Sequence, residues 1–242
     1  MGWCRAIPGR WMNRLAGSPP LTPEERDEVP VIEIGGKEIV ARNLRPSMAY
    51  KAMLAERVPT AQTRWARDGL DFGSDWCQVY SLPFKVTEST KLQSLQFRIL
   101  HRYFPTRRFL CIRKVIDDPF CENCGEIETI THLFISCSEV QTFWHDLIEA
   151  IQRRTDSVIQ ATERDVIFGN IEQPAIINLV FLVAKQFIVN NRHQDCASSL
   201  NAFRQSLLRM FELEKAVATK RGKYDRFRKK WALFMCGNTM QL

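Results

Sequence analysis

Apolar residues recur at helical spacing through most of this chain. Between Glu88 and Tyr103 they fall at Leu92, Leu95, Phe97, Ile99 and Leu100, which predicts a helix with one apolar side. Residues 138–153 repeat the pattern, with Val140, Phe143, Trp144, Leu147, Ile148 and Ile151 inward. Three further helices are expected near 174–192, 198–218 and 221–234. In the second of these Leu200, Phe203, Leu207, Met210, Phe211 and Val217 keep the rhythm of a packed bundle helix. Shorter helices come earlier. Ser47 is a good N-cap for one carrying Tyr50, Met53 and Leu54, stopped by Pro59. A second carries Trp65, and a third starts at Ser74, carries Trp76, Val79 and Tyr80, and ends at Pro83. Thr106 caps another over Arg107 to Val115. Two stretches break the rhythm. Val31 to Val40 alternates around Gly35-Gly36, the signature of a two-residue hairpin. Val166-Ile167-Phe168-Gly169 reads as a short strand or turn.

The fold class expected is therefore mainly α: a multi-helix domain with a short N-terminal β-hairpin. Residues 1–29 hold Ser18-Pro19-Pro20-Leu21-Thr22-Pro23 and then a charge run, and weak order is expected there. A hairpin and helical region should follow over 30–118, a cysteine-bearing segment with its following helix over 119–153, and a C-terminal helical region over 154–242. The longest apolar run, Ile176 to Ala184, is interrupted by Asn178 and stopped by Lys185. It is too short to span a bilayer and predicts a buried core helix, so no membrane partner is expected.

Charge adds a partner class. The formal net charge is +7, which favours a polyanion, most simply RNA or DNA. Two basic stretches would supply the contacts: Arg107, Arg108, Arg113 and Lys114, then Lys223, Arg226, Lys229 and Lys230. The interleaved Tyr224, Phe227 and Trp231 read as core first, as do Trp76, Phe143 and Trp144. Nothing points to a small-molecule substrate. Of the eight cysteines only three cluster, which suits reduced thiols and an intracellular, nuclear or cytoplasmic protein rather than a secreted one.

Those three carry the chemistry. Cys121, Cys124, His132 and Cys137 follow the spacing C-x2-C-x7-H-x4-C. Three thiolates and an imidazole close a tetrahedral shell on one zinc ion and leave no position for water, so the expected cofactor is a structural zinc. Gly125 gives the Cys-x2-Cys turn its backbone freedom. A short helix or turn should bring His132 and Cys137 together. His101, His145 and His193 have no cysteine neighbours and are not expected at the site.

The box, with Glu128 to Phe134 between its halves and Phe143-Trp144 after it, resembles the zinc-binding segment of LINE-type (non-LTR) retrotransposon reverse transcriptases. Lys91 to Arg102 resembles the helix before that segment; Ala184 to Ile188, Glu214-Lys215 and Lys230-Trp231 resemble the helical tail after it. The likeness runs from about residue 45 to residue 234. The histidine loop is longer than that of retroviral nucleocapsid knuckles, so their binding mode does not transfer. The resemblance implies a truncated, C-terminal part of such an element that binds nucleic acid. No catalysis is expected. The adjacent aspartates Asp117-Asp118 lie between Val115-Ile116 and Pro119, not in the aromatic-x-Asp-Asp box of a polymerase, and read as an acidic turn. The alternatives are a zinc-stapled protein-interaction scaffold and a non-functional retroelement remnant.

Overall fold

The computed structural model describes residues 31–34, 37–40, 43–48, 50, 60–70, 76–155, 159, 161–192, 199–236, 239–240 and 242. The chain divides into two compact units, Met1–Pro59 and Thr60–Leu242.

In the first unit, β1 (Val31–Ile34) pairs antiparallel with β2 (Lys37–Val40), in the register Val31 to Val40 through Ile34 to Lys37. An antiparallel pair in this register is what the Gly-Gly pattern predicts, and Gly35 and Gly36 themselves lie outside the described residues. The expected N-terminal segment, and Met53, Leu54 and Pro59 of the expected helix, lie outside the described residues.

The second unit is helical. Its elements are α1 (Thr60–Arg67), α2 (Trp76–Val86), α3 (Thr90–Leu100), α4 (Arg107–Ile112), a π-helical turn (His132–Ser136), α5 (Ser138–Thr155), α6 (Glu163–Phe168), α7 (Ala175–Asn191), α8 (Leu200–Lys220) and α9 (Tyr224–Trp231). A 3-10 turn (Ala232–Phe234) leads into a small antiparallel pair, β3 (Met235–Cys236) and β4 (Thr239–Met240). The centre is α7. Every residue from Ile176 to Lys185 is buried, and the helix packs on α2, α3, α8 and α9. An all-round apolar helix in water is one enclosed by others. None of the described helices is long and apolar enough to cross a membrane.

One hydrophobic cluster runs from Trp65 to Phe234 and includes Cys121 and Cys137. It is continuous across residues 118/119 and 153/154, where the sequence suggested separate regions. Aromatic edges tie it together: Phe143 meets Phe203 at 5.4 Å, Trp144 meets Phe181 at 5.3 Å and Phe211 meets Trp231 at 5.1 Å, all near-perpendicular. Trp76, Phe143, Trp144, Phe227 and Trp231 are thus core, as expected.

Three local expectations are corrected. Pro83 does not end α2. The helix continues to Val86, and burial of Val79, Pro83 and Val86 on one side outweighs the one backbone bond that proline forfeits. Residues 166–168 are helix, not strand: Thr162 and Asp165 form a reciprocal capping box that starts α6 at Glu163. Phe97 faces outward, 54% exposed, where it rings with His101 at 4.2 Å.

Candidate metal centre

The sequence builds this site in two halves. The first is a tight loop. Gly125 N–H donates to the Cys121 carbonyl at 2.9 Å, and Cys121 N–H donates to the Glu126 carbonyl at 2.7 Å. Gly125 takes φ +75° there, a conformation glycine adopts without steric cost. An antiparallel bridge between Phe120 and Ile127 closes the loop's base.

The second half is the π turn. Thr129 Oγ1 accepts from His132 N–H at 3.0 Å, and Cys137 N–H donates back to the His132 carbonyl at 3.0 Å. That i to i+5 bond matters for the spacing. In a regular α-helix, residues five apart point about 140° away from each other. One widened turn brings His132 and Cys137 to the same side, and such π turns recur at functional sites. It also disturbs the carbonyl ladder, and the Trp144 indole N–H donates to the Phe134 carbonyl at 2.7 Å in the buried interior. The tryptophan of the motif therefore holds the turn that presents two ligands.

The donor atoms of Cys121, Cys124, His132 and Cys137 all lie within 4.8 Å of one another. Cys121 Sγ and Cys137 Sγ are 4.0 Å apart, too far for a disulfide, and Cys124 Sγ is 3.3 Å from His132 Nε2. Around a tetrahedral zinc, two sulfurs stand about 3.8 Å apart and a sulfur and a nitrogen about 3.6 Å. The set fits zinc in chemistry and in size. Three soft sulfurs and one imidazole are a structural zinc donor set.

Burial and the neighbouring Cys121 sulfur push the Cys137 thiol up to about 12, opposed by a hydrogen bond from the Glu139 backbone. A bound divalent cation inverts that logic and holds the group as thiolate.

A second ring of contacts ties the centre to α4. The buried Glu128 carboxylate accepts from Arg107 N–H at 2.7 Å, at the first turn of α4. The Arg107 guanidinium reaches both Asp118 and Glu122. Its hydrogen bonds hold the Asp118 carboxyl below the usual range, helped by a further hydrogen bond from Phe120 N–H and by the guanidinium charge. Asp118 is thus occupied in closing the turn before Cys121.

The basic residues named from sequence divide. Arg108, Arg113 and Lys114 are exposed and have no ion-pair partner among the described residues, as do Lys223, Arg226 and Lys229. Arg107 is committed to the two acids above. Lys230 departs furthest from the expectation: its ammonium is mostly enclosed, 2.7 Å from Glu214, beside the Trp231 indole that donates to the same carboxylate. Of the other histidines, His145 is exposed on α5 and His101 stacks on Tyr80 at 5.2 Å, both away from the cluster; His193 lies outside the described residues. Glu128 and Trp144 are the supporting residues that spacing alone does not reveal.

Residues 48–144 match the family described as zinc-binding in reverse transcriptase. The match takes in all four donors and ends at Trp144. No curated protein matches the chain.

Proposed function

We propose, from a segment that matches a reverse-transcriptase zinc-binding family and folds its four donors into one shell, that the chain is a non-catalytic nucleic-acid-binding module. It would resemble the C-terminal tail of a LINE-type reverse transcriptase, with zinc as a structural staple. RNA or DNA would lie along the exposed side of residues 103–127.

The observation that carries this is Lys114. It ends α4 in a left-handed conformation, φ +57°, with its N–H bonded to the Cys111 carbonyl and Val115 N–H bonded to the Leu110 carbonyl. Helices that end this way favour glycine, and a side chain there costs about 1 kcal/mol. Arg102 ends α3 in the same conformation, but it has internal rewards: an ion pair with Asp68 and a place 4.4 Å from the Trp65 ring centre. Lys114 is exposed and unpartnered among the described residues, so its strain is not offset inside the fold. A strained position kept without internal compensation suggests a use outside. Around it the segment exposes two rings that the core does not need, Tyr103 at 63% and Phe120 at 50%. Cations interleaved with exposed rings suit single strands, where phosphates meet charge and bases meet flat apolar surface.

The test is Lys114→Gly, read in two ways. The variant should melt higher than the parent, because glycine relieves the backbone. It should also bind a single-stranded RNA oligomer more weakly, with the slope of log affinity against log salt reduced by about one. Unchanged affinity and slope would sink the reading, and a parent with no measurable RNA or DNA affinity at low salt would leave the scaffold alternative.

A further inference from the structure

A second surface lies on the groove between the α2–α3 connection and the α8–α9 corner. It forms an open cavity of about 480 Å³. Its walls are mostly aliphatic, with Val86 and the exposed ring of Phe84 on one side and Met210, Leu213, Val217, Ala218 and the buried Phe227 on the other. Met210, Leu213, Val217 and Ala218 sit on one stripe of α8, and Leu213 is 53% exposed on it. Lys85, Lys91, Lys223 and Arg226 line the same cavity, are exposed, and have no ion-pair partner among the described residues.

The groove already holds two carboxylates of its own chain. Glu214 in the wall accepts from Lys230, Thr87 and the Trp231 indole. Glu88, on one lip, reaches across to Arg221 on the other. The first pair is mostly enclosed, while both members of the second are more than half exposed. The groove therefore accepts carboxylates, and Glu88 occupies one cationic position that an incoming acid could take.

We propose that this groove docks an acidic amphipathic peptide segment of a partner protein, a function separate from nucleic-acid binding. Apolar anchors of the peptide lie along the Met210, Leu213 and Val217 stripe. That stripe has the i, i+3, i+7 spacing by which one helix reads another. Asp and Glu side chains flanking the anchors meet Lys85, Lys91, Lys223 and Arg226, and one displaces Glu88 from Arg221. Met210 on the stripe adapts to anchors of different shape. A nucleic acid suits the same cations less well here: Phe227 is buried in the core, Phe84 is the one exposed ring of the lining, and the rest of the apolar wall is aliphatic, where bases need rings to stack on.

The experiment is a selection of random displayed peptides against the zinc-loaded full chain, followed by fluorescence anisotropy with the best synthetic peptide. The selected sequences should carry apolar residues at helical spacing with Asp or Glu between them. Leu213→Asp and Arg226→Glu, both at exposed positions, should each weaken binding by about tenfold or more. Glu88→Gln should tighten it several-fold by removing the internal competitor. Selection without an acidic amphipathic consensus overturns the proposal. So does a peptide whose affinity is the same in Leu213→Asp, or one weakened by Glu88→Gln. Displacement of the peptide by an equal concentration of single-stranded RNA, lost in Arg226→Glu, would assign the groove to nucleic acid instead. The Lys114→Gly result is independent of every one of these outcomes.

Discussion

Gly169 shows how little room single residues leave in this core. It ends α6 at φ +82°, and a methyl group there would meet Leu82 Cδ2 at 2.4 Å and Asn178 Oδ1 at 2.9 Å. Asn178 cannot yield, because its side chain accepts from Asn170 N–H and donates to the Asn170 carbonyl. Gly169→Ala should therefore cost about 2–3 kcal/mol, from left-handed strain and a clash together, and lower the melting temperature by several degrees. Lys185 is a second such position. It is 1% exposed, with its ammonium on Gln96 Oε1 and the Val166 and Ile167 carbonyls and no ion-pair partner among the described residues. Burial lowers its pKa to about 7. An unfolded lysine titrates near 10.4. Between those values the unfolded chain binds a proton that the folded chain does not, so this group makes stability rise with pH across that window. Below about 7 both states are charged, and the penalty is at its full, constant size. Melting curves at pH 7 and pH 9 should show that rise, and Lys185→Met should flatten it. An equal rise in the variant would assign the effect to other groups.

At the scale of elements, the π turn is the piece on which the metal centre depends. Trp144→Phe keeps a ring in the core but removes the donor to the Phe134 carbonyl, leaving a buried acceptor unmet at about 1–3 kcal/mol. Because that turn carries His132 and Cys137, zinc affinity should fall by about tenfold, measured by competition with a chromophoric chelator. An affinity equal to the parent's would show that the turn holds without its tryptophan. Much at this scale was legible in the sequence, and what was not has identifiable causes. The long helices α3, α5 and α8 follow from apolar periodicity, since burial enforces the period, and α7 follows from the apolar run of Ile176 to Ala184. The four donors follow from spacing. Pro83 misled because its local preference lost to tertiary burial. The α6 helix was misread because three apolar residues in a row have no period, although Thr162-x-x-Asp165 is a visible capping signal. The π turn was implicit in the five-residue step from His132 to Cys137, which a regular helix cannot bring to one ion. The β3–β4 pair has no such trace, being two residues per strand held by the chain around it. Lys230 misled because a basic run carries no mark of which member turns inward to meet Glu214.

At the scale of the molecule, the described residues of the Thr60–Leu242 unit share one core, and two of the candidate metal ligands belong to it. Cys121 and Cys137 pack in the same cluster as Phe134, Phe143 and Trp231. If zinc fills this site, removing it would leave buried sulfurs without their cation in the middle of shared packing. Calorimetry before and after chelation should thus show the unit's main transition shift downward as a whole. A small early transition for the cysteine segment, with the rest unmoved, would show that the loop folds independently of the helices. The surfaces divide more clearly than the core. Exposed cations and rings near the centre, and the apolar groove at the α8–α9 corner, are built from different residues and answer to different substitutions.

The sharing of one core by sulfurs and aromatics has a consequence in mass action. A metal that binds only the folded chain adds a free energy set by its own free concentration. Once free zinc exceeds the dissociation constant, each tenfold rise adds about 1.4 kcal/mol to the stability of the packed helices. The fraction of chain that is folded, and with it the number of molecules able to bind anything, would then follow the zinc supply of its surroundings.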